Sequence, residues 1–292
     1  MLSAELLQKI RRIEIRASHL VTETLAGEYQ SSFKGRGIVF EDTRPYVPGD
    51  DVRMINWSLM ARTGDPHIKN FREERELTVV VAVDVSASGV FGTKTRMKKD
   101  AALEIAAVLS HLAMKKNDKV GLLLFSDRVE CYIPPKKGRA HLWRVIQTLL
   151  TFKPEGKATK LSVALEFLNR VLKKKSVVFI ISDFLDQGFE GDLSRTRQHH
   201  DTIAVRIKDA AEKNLQGLGL VSFEDPETGE CLTVDLHQEK TRQAIVKKWQ
   251  TRDNLFQTML KKGRLDLIDI DSSNPAIDPL FHFFRRRMRR KG

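Results

Sequence analysis

Apolar residues along this chain follow two rhythms. Between residues 2 and about 27, Leu6, Ile10, Ile13, Leu20 and Val21 recur at helical intervals among charged neighbours, which predicts an amphipathic helix packed on the rest of the protein. From Leu77 onward, short β-branched runs alternate with longer amphipathic stretches. In order, these are VVVAVD ending at 84, a helix over about 96–115, KVGLLLFS from 119, a short hairpin at VECYIP and helices over about 139–150 and 161–173. SVVFIISD ending at 183, TIAVRI from 202, a helix over about 238–261 and RLDLIDI from 264 complete the series. The strand runs are apolar almost throughout, so both of their faces are covered, as in a mostly parallel sheet flanked by helices. The fold class expected is α/β.

Two segments break the alternation. Residues 35–75, opening GRGIVFEDTRPYVPGDDVRMINW, set Gly and Pro between short apolar pieces and predict a small β-rich or irregular unit. LVSFEDPETGECLTVD, residues 220–235, reads as an inserted or edge hairpin, because two β-like runs flank a turn of Asp, Pro and Gly. The organisation expected is a helix plus β-rich unit over 1–75, an α/β domain over 76–272 and a basic tail over 273–292.

Composition narrows the class. With 292 residues and 41% hydrophobic content the chain can bury a large core. Apolar runs such as VVFII stop well short of the roughly 20 residues that cross a bilayer, and the N-terminus has no signal-peptide core, so the expected compartment is the cytoplasm. Cys131 and Cys231 are too few and too far apart for a disulfide framework or a zinc site, and are expected as buried free thiols.

The net charge of +12 admits an acidic partner, a nucleic acid or an anionic membrane surface. Lys98-Lys99, Lys115-Lys116 and Lys173-Lys174-Lys175 are expected on helices or at their C-terminal ends, where cations favour the dipole. The concentrated run is Arg285, Arg286, Arg287, Arg289, Arg290 and Lys291, behind FHFF. A solvated helix face, a phosphate-attracting tail and a dock for an acidic protein all account for it. Nucleic acid is the weakest reading, because no helix-turn-helix, zinc-finger or RNP pattern accompanies the charge.

Chemistry enters at VVVAVDVSAS, where a buried strand ends in Asp84, Ser86 and Ser88. Three oxygen donors in a five-residue loop suit Mg²⁺ or Mn²⁺, which need further ligands from neighbouring loops. Thr159 stands in the loop just before a helix, and Asp183 ends another apolar strand as Asp84 does, so both arrive at the same sheet edge. The bland account is that the aspartates cap turns or helices while the hydroxyls satisfy backbone groups. His199 and His200 are adjacent, have no partners at metal-ligand spacing and are expected at the surface.

Asp-x-Ser-x-Ser, then a loop Thr, then a strand-end Asp, resembles the metal-ion-dependent adhesion site (MIDAS) of von Willebrand factor A-like domains. The resemblance implies Asp84, Ser86, Ser88, Thr159 and Asp183 as ligands of Mg²⁺ or Mn²⁺, with a partner's carboxylate at the open position. Upstream, RPYVPGDDVRMINWSLMAR, with Arg44, Tyr46, Gly49, Asp50, Asp51, Arg53, Trp57, Ala61 and Arg62, resembles the signature of the bacterial domain-of-unknown-function-58 (DUF58) family. That resemblance implies a von Willebrand A-like domain after the signature and an association with MoxR-type AAA+ ATPases. Asn56 departs from the acid expected before the tryptophan, and some relatives carry membrane helices. Read physically, Gly49 makes a tight turn, Tyr46 and Trp57 pack, and Arg53 pairs with Asp50 or Asp51.

The function these features imply is non-enzymatic: a metal-dependent interaction module, an adaptor or co-chaperone for the ATPase or its client. The alternative is a Mg²⁺-dependent phosphatase-like hydrolase with Asp84 as nucleophile. Haloacid-dehalogenase-like enzymes have Asp-x-Asp-x-Thr there, and Ser86 stands where their general acid would be.

Overall fold

The computed structural model describes residues 12, 15–33, 38–73, 76–90, 92–93, 96–209, 219–224, 231–275 and 277–291. Helices α1 (residues 15–20) and α2 (Glu23–Ser32) meet at Thr22, whose hydroxyl accepts from Leu25 N at 3.2 Å and starts a new helix. The single helix expected to about residue 27 is therefore broken at Val21–Thr22 and resumes as far as Ser32. Leu6, Ile10 and Ile13 lie outside the described residues.

Strands β1 (Ile38–Pro45) and β2 (His67–Glu73) pair antiparallel, and their connection holds α3 (Trp57–Thr63). Next come β3 (Thr78–Asp84), a short ribbon of β4 (Gly92–Thr93) and β5 (Arg96–Met97), and α4 (Lys98–Lys115). β6 (Lys119–Phe125), β7 (Val129–Lys136), α5 (Arg139–Thr151), α6 (Leu161–Val171), β8 (Val177–Ser182), α7 (Glu190–His199) and β9 (Asp201–Lys208) follow. β10 (Leu220–Glu224) and β11 (Cys231–Asp235) form the expected hairpin ahead of α8 (Glu239–Gly263), β12 (Asp266–Asp271) and α9 (Ile277–Lys291).

Among the described residues the main sheet runs β12-β9-β8-β3-β6-β7, with every neighbour parallel except β6 and β7. The mostly parallel α/β architecture is as the apolar runs predicted. Along β3 successive side chains enter opposite layers: Val79, Val81 and Val83 join the core under α2, α4, α5 and α9, while Val80 and Ala82 join the core under α6, α7 and α8. The chain winds outward one way from β3 through β6 and the other way from β8 through β9. The switch point, where such sheets open a crevice, thus lies at the carboxyl ends of β3 and β8.

Residues 277–291 are a packed helix, not a free tail. Leu280, Phe283, Phe284 and Arg287 repeat at i, i+3, i+4 and i+7, and all four are buried. Phe284 meets the Tyr29 ring edge-on at 5.6 Å. Arg287 lies 4.6 Å over the Phe33 ring and bonds Asp201 and, at 2.8 Å, Asp266. Arg285, Arg286, Arg289 and Arg290 remain exposed, and the Lys291 side chain lies outside the described residues. The run was basic in sequence, but its helix shares an apolar stripe with the core.

Three smaller expectations change. His200, expected at the surface, is only 3% exposed, because the turn after α7 directs it inward ahead of β9. Cys231 is exposed at the start of β11 and Cys131 is half-buried. Trp57, expected to pack, is 62% exposed. Among the described residues, no helix is long and apolar enough to cross a membrane.

Arg287→Ala should lower unfolding free energy by about 2–4 kcal/mol, through the lost ion pairs and lost packing on Phe33, whereas Arg287→Met, which keeps the apolar stem, should cost less. Urea unfolding monitored by circular dichroism checks this; equal costs would show that the charge, and not the packing, is what matters.

Candidate metal centre

Register sets the site. Val83 pairs with Ile181 of β8 while Asp84 pairs with Phe125 of β6, so Asp84 leaves the sheet level with the end of β8. Its Oδ1 accepts from Ser86 N at 3.0 Å, closing an Asx turn, and its Oδ2 accepts from Ser182 Oγ at 2.8 Å. That turn brings Ser86 Oγ to 3.0 Å from Ser88 Oγ.

Thr159 comes from the α5–α6 loop and donates through Oγ1 to Ser86 Oγ at 2.7 Å. Its loop is tied down on both sides: Ala87 N donates to Lys157 O at 2.9 Å and Lys160 N to Ser126 O at 3.0 Å. Glu130 on β7 accepts from Gly156 N at 2.8 Å, Glu155 N at 3.2 Å and Ser126 Oγ at 2.6 Å. A Cβ on Gly156 would collide with Asp127 Oδ1 and Ser126 Oγ, so the close approach requires glycine.

Asp183 follows β8, and its Oδ1 accepts from Leu185 N at 3.2 Å. The next residue, Phe184, holds φ of 55°, a left-handed conformation that costs a bulky residue about 1–2 kcal/mol. Its buried ring packs 5.1 Å from Phe256, and its N–H donates to Ser182 Oγ at 3.1 Å, which hold the turn in place. Farther along, Asp186 Oδ2 accepts from Leu161 N at 2.8 Å and caps α6, joining the Asp183 loop to the Thr159 loop.

All five expected residues therefore gather at one edge, and three more side chains hold them there. Ser182, Glu130 and Asp186 escaped the sequence reading. Ser182 was legible as the hydroxyl beside a strand-end Asp, but the roles of Glu130 and Asp186 depend on loops that meet only in three dimensions. Lys98 also enters the site: Asp84, Ser88, Lys98, Lys99, Ser182 and Asp183 share one cavity, and Lys98 Nζ lies 3.4 Å from Asp183 Oδ2. Lys98, expected on the helix over about 96–115, is the first residue of α4.

Burial, and then the charge of Asp183, push the Asp84 carboxyl up to about 6, against the bonds from Ser86 and Ser182 that favour its ionised form. A buried carboxylate whose neighbour is a second carboxylate marks a crevice where a cation would relieve the repulsion.

The signature residues form a separate network. Arg44 grips Asp50 with two bonds of 2.8 and 2.7 Å, Asp50 also accepts from Val47 N at 3.0 Å, and Gly49 takes φ of 110° in the turn between them. That grip from Arg44 holds the Asp50 carboxyl below its usual range. Arg53 pairs with Asp51, as one of the two expected pairings has it. Asn56, the departure from the signature, caps α3 by accepting from Leu59 N at 3.3 Å. Tyr46 is half-buried, while Ala61 and Arg62 are exposed.

A family model described as "Protein of unknown function DUF58" matches residues 42–254, which include both the signature and the strand-end cluster. The chain belongs to the DUF58 family. It is 30% identical over 223 residues to the uncharacterized protein Rv1480 of Mycobacterium tuberculosis, covering 75% of this chain and 70% of that one. To the uncharacterized protein MAV169 of Mycobacterium avium it is 28% identical over 100 residues, 33% of this chain and 59% of that one. Among solved structures, BatB from Bacteroides thetaiotaomicron aligns with a TM-score of 0.48 and 15% identity over 73% of this chain and 99% of its own. The SpRpn10 VWA domain aligns with a TM-score of 0.38 and 10% identity, over 70% and 93%.

Two outcomes follow for this DUF58 site. Since the folded Asp84 pKa of about 6 exceeds the ordinary 3.8, its stabilising contribution is complete below about pH 3.8 and is lost as pH rises through 6. In chelator, Asp84→Asn should therefore gain on the wild type between pH 4 and pH 7, by about 2–3 kcal/mol at most, read from urea midpoints. Parallel pH profiles would place the Asp84 pKa near its ordinary value. Gly156→Ala should destabilise by about 1–3 kcal/mol through the collision with Ser126 and Asp127; an unchanged midpoint would mean that the Thr159 loop is loosely held.

Proposed function

We propose that this DUF58 protein is a non-enzymatic, divalent-cation-dependent interaction module, an adaptor or co-chaperone working in the cytoplasm. One observation carries the reading: Asp84, Ser86, Ser88, Thr159 and Asp183 arrive from three loops at the switch point of the sheet. Two carboxylates and three hydroxyls are a hard oxygen set of the kind Mg²⁺ and Mn²⁺ prefer. A divalent ion held there would have its charge balanced by the two aspartates and its other protein ligands neutral, and would offer an incoming carboxylate a remaining coordination position.

The chain's own residues prepare that centre. Ser86 N and Ser182 Oγ fix the two oxygens of Asp84, Leu185 N fixes Asp183, and Glu130 and Asp186 hold the Thr159 loop against both. In this reading the partner is a MoxR-type AAA+ ATPase or a client presented to it, bound through an acidic side chain; the family resemblance suggests that partner.

Adding millimolar Mg²⁺ or Mn²⁺ should raise the melting temperature by mass action, by about 2.7 kcal/mol of stabilisation at a hundredfold excess over Kd, and Asp84→Ala should abolish the shift. The purified ATPase should be retained in Mg²⁺ and released in EDTA. A flat melting response together with EDTA-insensitive retention would sink the proposal.

A further inference from the structure

Lys98 is the first residue of α4, where the helix dipole disfavours positive charge. Its side chain is nonetheless 5% exposed, with Nζ 3.4 Å from Asp183 Oδ2 on a carboxylate that is 7% exposed. A lysine buried at the wrong end of a helix is held by what it meets there, and it meets one of the five residues of the candidate cation site. Asp84, Ser88 and Asp183 line the same cavity as Lys98.

An ammonium and a divalent ion seek the same carboxylate oxygens, and in a shielded crevice they repel each other. We infer that Lys98 is a tethered competitor for the cation: its ammonium holds Asp183 until a divalent ion displaces it. This inference rests on the metal-dependent reading above and adds its regulation. The long apolar stem of lysine lets the head swing to solvent while its carbons stay packed, so displacement requires no refolding of α4. Metal loading then also releases a positive charge at the rim of the site. With two carboxylates against one ammonium the unloaded crevice is net negative, and a divalent ion turns the same set net positive, so loading and capture of an acidic side chain favour each other.

The test is a calorimetric Mn²⁺ titration of the full chain as wild type, Lys98→Met and Lys98→Gln. Lys98→Met keeps the stem and removes the charge, and should bind Mn²⁺ roughly tenfold tighter or more, the scale on which one adjacent charge alters a site. Equal affinity in wild type and variants overturns the competitor and leaves the metal site standing. Absence of binding in all three overturns the metal reading and this inference with it. Amine labelling of the wild type, followed by mass spectrometry, is independent of any variant's folding: Lys98 should be protected in EDTA and labelled at saturating Mn²⁺. Protection that persists at saturation overturns the displacement.

Discussion

The position of β3 between β6 and β8 governs the rest of the molecule. Parallel pairing on both sides buries Val79 to Val83 almost completely, so this strand can neither slip by one residue, which would exchange the two cores, nor end elsewhere. Because β3 cannot move, Asp84 emerges at a fixed height beside Ser182 and Asp183. Tyr29 and Leu77 strengthen the same constraint from the opposite end of the strand: both donate to Asp118, the hydroxyl at 3.0 Å and the backbone N–H at 2.8 Å, and so fasten α2 to the entry of β3.

Buried ionic groups do a second kind of work. Arg206 on β9 is bonded to Asp269 and Asp253 and lies 4.5 Å over the Phe256 ring, and Arg287 on α9 is bonded to Asp266 and Asp201 over Phe33. Each arginine joins elements far apart in the chain and stacks on an aromatic face; all three nitrogens of Arg206 meet carboxylates, and the two terminal nitrogens of Arg287 do. The net charge of +12 is therefore not a uniform coat. Part of it is spent inside, where Arg206, Arg287 and Lys98 hold sheet, helices and site together.

The site uses strain and close approach at two places. Phe184 takes a left-handed turn so that Asp183 can stop at the sheet edge, and Gly156 gives up its Cβ so that the Thr159 loop can lie on Ser126. Both costs are met by neighbours: the Phe256 ring for the first, the Glu130 carboxylate for the second. These contacts fix the two loops at the crevice through hydrogen bonds and packing within the chain itself.

The sequence alone determined the α/β class, the parallel strands and the gathering of Asp84, Ser86, Ser88, Thr159 and Asp183. Each of these follows from local rules: apolar runs mark strands buried on both faces, and strand ends of a parallel sheet share one edge. It also narrowed the partner of Arg53 to Asp50 or Asp51, of which the structure pairs Asp51 because Arg44 takes Asp50. Only the tertiary structure decided that the basic run packs through Arg287, that His200 is buried, that Trp57 is exposed and that Lys98 reaches Asp183. The physical reason is the same in each case. Whether a charge or a ring is buried depends on what lies across the interface, and Lys98 and Asp183, 85 positions apart, become neighbours only when α4 docks beside the end of β8.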